Sequence, residues 1–442
     1  MSRTNLLWLL GVPALFAIGV SVTATAPPPD KDYQLVRRIV DVLAEVDKNY
    51  VRELSDPEKK KFVEDMINGG LEKLDPHSMY LNEEYFREFE SDTRGQFGGI
   101  GVILGIDPKT LLLRVETPNP GTPAFDAGLQ AGDLITRIEG VSTEGLTILE
   151  ARKKITGPIE TPVTLTVFFL DEGKERDVTL TRRLMEQRTI SGFARDAADP
   201  AKWNWFADAD ARIALIRLAT GFNEKTMGEL TAAMKEIDAA GAKGLILDLR
   251  NNPGGLLSQA IAVCDFFLPE ADVVSTRDRR QRTKPRRVKT DGGPWESASE
   301  RPMVVLIDRG SASASEIVAA ALQDHRRAVV IGERSFGKGS VQKIYEFEDK
   351  QTAVKLTAEE WLRPSGQSIH RFPTAKATDP WGVVPDAGFE VKLTAEEYRE
   401  YVKSVNDSTT IRRKGNEGNS QSTAKDKILG VAVESLKKTI AR

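Results

Sequence analysis

The sequence predicts a multidomain α/β chain, α+β when taken as a whole, with a helical N-terminal region, an inserted β-rich domain and an α/β core on a largely parallel sheet. Three observations predict it. Apolar residues recur at helical spacing from Tyr33 to about Ser91, Gly-rich turns and short β-type runs follow Arg94, and strands alternate with helices from Leu184 onward. At 442 residues the chain is too long for one ordinary domain. Its 62 Lys+Arg against 65 Asp+Glu leave a net charge of −3, which argues against a nucleic-acid partner. The single cysteine, Cys264, excludes an internal disulfide and any multi-cysteine metal cluster. The three histidines, His77, His325 and His370, lie far apart, so no metal site is expected.

Residues 1–26 read as an export signal. One positive charge at Arg3 precedes the apolar run Leu6 to Val22, and cleavage after Ala24 would leave Val22 and Ala24 at the selective positions. A retained membrane anchor is the alternative, because the run sits at the short limit for a span. Either places the rest of the chain outside the cytoplasm, in the periplasm or cell envelope.

The helical region, 30–95, has Leu35, Val36, Ile39, Val40, Leu43 and Val46 on one stripe, and a second set from Phe62 to Leu74 after a start signal at Ser55-Asp56-Pro57. His77 falls in the turn Asp75-Pro76-His77-Ser78, where a structural role is expected. In the β-rich segment, strands are expected at Leu111–Glu116, Asp133–Ile138 and Val163–Leu170, with a helix at Leu146–Ile155. The glycines of Gly98-Gly99-Ile100-Gly101 can turn successive amides into one concavity and make an anion nest, or simply form a tight turn.

In the core, Arg212–Leu218 and Gly244–Leu249 are buried strands, and Asn223 is expected to cap a helix carrying Met227, Leu230, Met234 and Ile237. Leu256–Phe267 and Ala314–Gln323 are helices, and Met303–Ile307 and Ala328–Ile331 are strands. Cys264 is expected in the core. Beyond residue 392 we expect a polar C-terminal extension, 393–442, with a Thr394/Glu397 capping box and a last amphipathic helix carrying Ile428, Val431, Leu436 and Ile440.

Two segments can carry chemistry. Asp308 to Ala320 follows a buried strand and opens a helix, so a serine there gains from the helix dipole, and free N–H groups of the first turn can stabilise an oxyanion. The same alternating serines, Ser311, Ser313 and Ser315, also suit caps and tight packing. Gly332 to Gln342 nearly matches a phosphate-binding loop, but Gly339 stands where Ser or Thr must hold magnesium, and a strand pattern follows instead of a helix. Lys338, between two glycines, reads better as a lysine brought against another backbone. A serine and an unprotonated lysine make a hydrolytic dyad, provided burial lowers the lysine pKa from about 10.4.

Residues 96–183 resemble a PDZ domain of the bacterial protease-associated kind, most specifically at Pro123 to Ile135. From Tyr33 to Val391 the chain resembles the carboxyl-terminal processing peptidases, or tail-specific proteases. The resemblance implies a peptidase core over 184–392 with Ser313 as nucleophile, Lys338 as general base and Gln342 orienting it. It also implies an oxyanion hole from the N–H of Ala314 and a glycine of Asn252-Pro253-Gly254-Gly255, preferentially Gly254, with Glu316 in support. By the same resemblance the protein cleaves exported or unfolded proteins near their C-termini without cofactor or metal, the PDZ loop Gly98 to Gly101 binding the substrate tail and gating the site. It leaves room for a homodimer and for membrane or envelope association through the N-terminus. His325 and His370 are expected to be non-catalytic, and the basic stretch 277–289 a solvated connection or a contact with anionic polymer. The competing reading is a catalytically inactive PDZ scaffold that binds C-termini.

Overall fold

Alternation along the buried strands decides the layering of the core. In Ile213–Leu218, Gly244–Asp248 and Met303–Ile307 successive residues point to opposite faces of the sheet, and both faces are apolar. Ala214, Ile216, Leu245, Leu247, Val305 and Ile307 face the helices Thr226–Ala239, Leu257–Phe267 and Ala314–Asp324. Ile213, Leu215, Ile246, Val304 and Leu306 face the last helix, Lys427–Ile440, through Ile428, Leu429, Ala432, Val433 and Leu436. Cys264 lies in the first of these clusters, fully buried, with its thiol pKa pushed up by burial.

The structure, a computed structural model, describes residues 31–119, 121–288, 301–376, 378–409 and 426–442. The export signal read over residues 1–26, Lys289 of the basic stretch and most of the polar run before Asp426 lie outside the described residues. The chain divides into two units, Met1–Lys73 and Leu74–Arg442. The first holds the helices Lys31–Asn49 and Asp56–Glu72, the second of which begins as expected at Ser55, whose N–H donates to Glu58 at 2.9 Å. The region drawn as 30–95 is thus divided at Lys73, and the strand Met79–Leu81 pairs instead with Ala353–Leu362 of the second unit. Among the described residues no helix is long and apolar enough to cross a membrane.

The central sheet runs in the order Ile190–Ser191, Ile213–Leu218, Gly244–Asp248, Met303–Ile307, Val329–Gly332. The last four strands are mutually parallel, while Ile190–Ser191 and Phe206–Asp208 pair antiparallel with Ile213–Leu218. A second, wholly antiparallel sheet joins Met79–Leu81, Ala353–Leu362, Ala271–Asp278 and Thr283–Val288, with Ser340–Glu346 also on Ala353–Leu362. The basic stretch forms the hairpin of this sheet, where Arg277 pairs with Glu360 and Arg282 with Asp278.

The inserted domain is a sheet in the order Val102–Ile106, Leu113–Pro118, Leu134–Ile138, Pro162–Phe169, Lys174–Thr181, with the helix Ile148–Ile155 against it. Its neck is the antiparallel pair Gln96–Gly99 and Arg183–Glu186. Val102–Ile106 is an edge strand, paired on one side only among the described residues.

One expectation is corrected here. Asn223 does not cap the helix that follows. Its carboxamide accepts from the Lys225 N–H, Thr226 accepts from the Asn223 N–H, and the helix begins at Thr226 behind Lys225. In the C-terminal segment the terminal helix Lys427–Ile440 forms a full layer of the core. Asp426 and Tyr401 from this segment also complete a buried charge cluster around Arg250. Arg250 donates to both carboxylate oxygens of Asp248 (2.8 and 2.7 Å) and of Asp426 (2.9 Å each), and stacks on the Tyr401 ring at 4.1 Å.

Candidate active site

Three loops leave the carboxyl ends of adjacent parallel strands: Asn251–Leu256 after Gly244–Asp248, Asp308–Ser313 after Met303–Ile307, and Glu333–Gly339 after Val329–Gly332. That end of a parallel sheet is where α/β folds place ligands, because helix N-termini and loop amides converge there.

The three alternating serines separate by their partners. Ser311 donates to the Leu249 carbonyl (2.8 Å) and Ser315 to the Asn252 carbonyl (2.9 Å), both buried. Ser313 stands half-buried at the cap of the helix Ala314–Asp324, with φ 55° and ψ −114°. A positive φ on a residue with a Cβ costs on the order of 1–3 kcal/mol and concentrates at reactive positions. Gly254 packs against it: a Cβ added there would lie 2.7 Å from the Ser313 Cβ and 3.0 Å from the Ala314 nitrogen. The Gly254 N–H donates to the Asn252 side chain at 2.9 Å, whereas among the described residues the N–H groups of Gly255 and Ala314 have no acceptor. The turn itself is held by Tyr398, which donates to Asn251 at 2.7 Å from the helix Ala395–Thr409.

Glu316, fully buried, ties this turn to the lysine loop. One carboxylate oxygen accepts from the Ser313 N–H (2.7 Å) and the Lys338 N–H (2.9 Å). The other accepts from the Ser335 hydroxyl (2.5 Å) and the Gly337 N–H (2.6 Å). Burial raises the Glu316 pKa, and these four donors oppose the rise.

The lysine loop lies against a neighbouring backbone, as its glycines imply. Arg371 N–H donates to the Gly337 carbonyl, the Trp361 N–H to Gly339 and the Trp361 indole to the Lys338 carbonyl (2.9, 2.9 and 3.0 Å). A Cβ on Gly339 would come 2.8 Å from the His370 backbone nitrogen. Lys338 is half-buried, and its pKa is lowered first by burial and then by the charge of Lys355, with Glu316 and Asp75 opposing. Gln342 lies on the next strand, its amide nitrogen donating to Ser340 (3.0 Å) and Thr357 (3.1 Å).

His325 ends the helix that Ser313 begins, and its ring nitrogen bonds the Asp272 carbonyl at 2.7 Å, so it is remote from the serine. His370 stacks edge-on against Phe372 at 4.7 Å. Among the described residues no cluster of His, Cys, Asp or Glu could hold a metal ion.

In the inserted domain Gly98 and Gly99 lie in the neck strand, with the Gly98 carbonyl accepting from Gly157 at 3.1 Å. Ile100 is buried, and among the described residues the N–H groups of Ile100 and Gly101 find no backbone acceptor, just before the free-edged strand Val102–Ile106. The helix Ile148–Ile155 touches the helix Glu83–Arg94 through two surface contacts: Arg152 pairs with Asp92 at 2.5 Å and Lys153 sits 4.4 Å over the Tyr85 ring. Phe86, on that same helix, packs with Leu81 and Ala353 of the second sheet.

Residues missed from the sequence are Asp75, Lys355, Thr357, Tyr398 and the Arg250–Asp426 pair. The apolar period of the last helix was the one available signal for any of them.

A core with four parallel strands bearing this serine and lysine, with an inserted domain built on a six-stranded sheet, defines a PDZ-containing serine peptidase class. Peptidase family S41 matches residues 212–387, and a PDZ domain matches residues 114–167. The chain is similar to a carboxy-terminal-processing protease of Bartonella bacilliformis, 36% identical over 92% of this chain and 90% of that one. It is also similar to a carboxyl-terminal-processing protease of Synechocystis, 34% identical over 72% and 69% of the two chains. Among solved structures it resembles a photosystem II D1 C-terminal processing protease at 26% identity and a TM-score of 0.43, over 80% and 86% of the chains. The chain belongs to peptidase family S41 and is a hydrolase acting on proteins or peptides.

Proposed function

We infer that the protein is an endopeptidase that cleaves exported or unfolded proteins near their C-termini with Ser313 and Lys338. The observation that carries this reading is the Glu316 carboxylate, one oxygen of which holds the backbone amides of both residues. Ser313 Oγ attacks the scissile carbonyl while neutral Lys338 takes its proton, and the oxyanion rests on the Ala314 N–H and an amide of the Gly254–Gly255 turn. Lys338 then passes the proton to the leaving amine, and water, deprotonated by the same lysine, releases the acyl group. Burial and the neighbouring Lys355 both favour the neutral lysine this needs.

The free edge of Val102–Ile106 and the amides of Ile100 and Gly101 suit a peptide strand ending in a carboxylate. A tail bound there would lie beside the helix Ile148–Ile155, which touches Glu83–Arg94 and, through Phe86, the second sheet; this chain of contacts supports gating of the site by substrate. Residues 1–26, read as an export signal or a retained anchor, support an activity outside the cytoplasm.

The test compares peptides with free and amidated C-termini. Amidation removes charge-assisted hydrogen bonds worth about 1.5–3 kcal/mol each, so kcat/KM is expected to fall about 10-fold to 100-fold. Equal rates for the two peptides would refute tail recognition, and absence of cleavage of either would favour a binding scaffold.

A further inference from the structure

One part-buried hydrogen-bond chain ends on Gln342 and starts from a turn that the Ser313–Lys338 reaction does not use. Asp75 accepts from the backbone N–H groups of His77 (2.8 Å) and Ser78 (2.9 Å) and from the Ser78 hydroxyl (2.6 Å). This turn is stapled to the strand Ala353–Leu362, because the Thr357 N–H donates to the Ser78 hydroxyl oxygen at 3.0 Å. The Thr357 hydroxyl donates to Asp75 at 3.0 Å and accepts from the Gln342 amide nitrogen at 3.1 Å.

Proton counting orders the chain. A hydroxyl has one proton to give, and an ionised carboxylate only accepts. Burial acts to raise the Asp75 pKa, but the donors from Ser78, His77 and Thr357 outweigh it and hold the group below the usual carboxylate range. Thr357 therefore commits its proton to Asp75 and meets Gln342 as an acceptor. Gln342 must then turn its NH₂ toward Thr357 and Ser340, which leaves the amide oxygen as its free end. The reversed amide would set two oxygens, with no proton between them, against each other at Thr357.

We propose that Asp75, acting through Thr357, is a positioning residue that locks the Gln342 amide with its oxygen, and not its NH₂, available to Lys338. An oxygen there accepts an N–H of the lysine and directs its lone pair, whereas an NH₂ would repel it. The proposal rests on the serine–lysine reading. Lys338 is faced by Glu316 from the serine helix, by Lys355 from the strand that carries Thr357, and by Asp75 and His77 from the turn; His370 in turn faces His77. The negative charge of Asp75 favours protonated Lys338, so its removal favours the neutral amine.

The experiment measures kcat and KM against pH for the full chain and for Asp75→Asn, Thr357→Val, Thr357→Ser, Gln342→Ala and the Thr357→Val/Gln342→Ala double variant, beside Lys338→Ala. Thr357→Val is expected to lower kcat about 10-fold, as for one lost hydrogen bond, with little change in KM. Thr357→Ser should restore most of the loss, and Thr357→Val should cost nothing further once Gln342 is absent. Asp75→Asn should lower the plateau while moving the acid limb of the profile to lower pH. A Thr357→Val loss of equal size with and without Gln342 would overturn the proposal, because misfolding acts in both backgrounds. Wild-type rates in Thr357→Val and Asp75→Asn with Lys338→Ala inactive would overturn it alone, while an active Lys338→Ala would overturn the dyad reading beneath it.

Discussion

Glu316→Gln keeps the shape of the side chain and changes one acceptor oxygen into a donor NH₂. Four donors converge on the carboxylate, two on each oxygen, from Ser313, Lys338, Ser335 and Gly337. Whichever way the amide turns, two of them meet an NH₂. If the nitrogen faces Ser313 and Lys338, both amides that set the serine and lysine loops lose their acceptor. If it faces Ser335 and Gly337, the Gly337 N–H loses its acceptor, while the Ser335 hydroxyl can turn to accept from the NH₂ and the Lys338 N–H keeps its bond. Hydrogen bonds to a charged group contribute about 1.5–3 kcal/mol each, so the one or two lost cost about 1.5–6 kcal/mol, less what the protein recovers because burial already disfavours the anion. Urea unfolding followed by far-ultraviolet circular dichroism should register a loss in this range, and peptide cleavage should fall with kcat rather than KM. A variant within about 1 kcal/mol of the parent and equally active would show that the carboxylate does not hold the two loops.

Further expectations follow from neighbouring groups. Lys355→Met removes a positive charge beside Lys338, so the Lys338 pKa should rise toward its ordinary value, and the acid limb of kcat/KM should move to higher pH. Asp75→Asn moves it the other way, which makes the pair a check on sign. Asp426→Ala leaves the buried Arg250 guanidinium with half its partners and should destabilise the chain by about 3–5 kcal/mol in denaturant titration, with Asp426→Asn intermediate. Gly254→Ala places a methyl 2.7 Å from the Ser313 Cβ and should abolish most cleavage while leaving binding of a free peptide tail intact.

Much of the fold was legible because periodicity is local. The strands Gly244–Asp248 and Met303–Ile307 and the helix Leu257–Phe267 lie within a residue or two of their sequence-based limits. The serine and lysine segments were readable for the same reason, each being one contiguous run after a buried strand. What stayed hidden was pairing across the chain. Thr357 meets Asp75 from 282 residues away, and Arg250 meets Asp426 from 176, so no spacing rule could join them. The last helix was visible as an amphipathic pattern, but its polar approach suggested a tail, and only the sheet's second apolar face shows what it covers. Gly254 was a reasonable choice for the oxyanion glycine from the turn motif alone. Its N–H is committed to Asn252, a contact between residues two apart that depends on the turn's geometry rather than its composition.

The most direct measurement of the central claim is covalent labelling of the full chain with a fluorophosphonate probe, the adduct being located by peptide mass spectrometry. One labelled residue is expected, Ser313, with labelling abolished in Ser313→Ala and greatly slowed in Lys338→Ala. An adduct on a different serine, or undiminished labelling of Ser313 in Lys338→Ala, would contradict it.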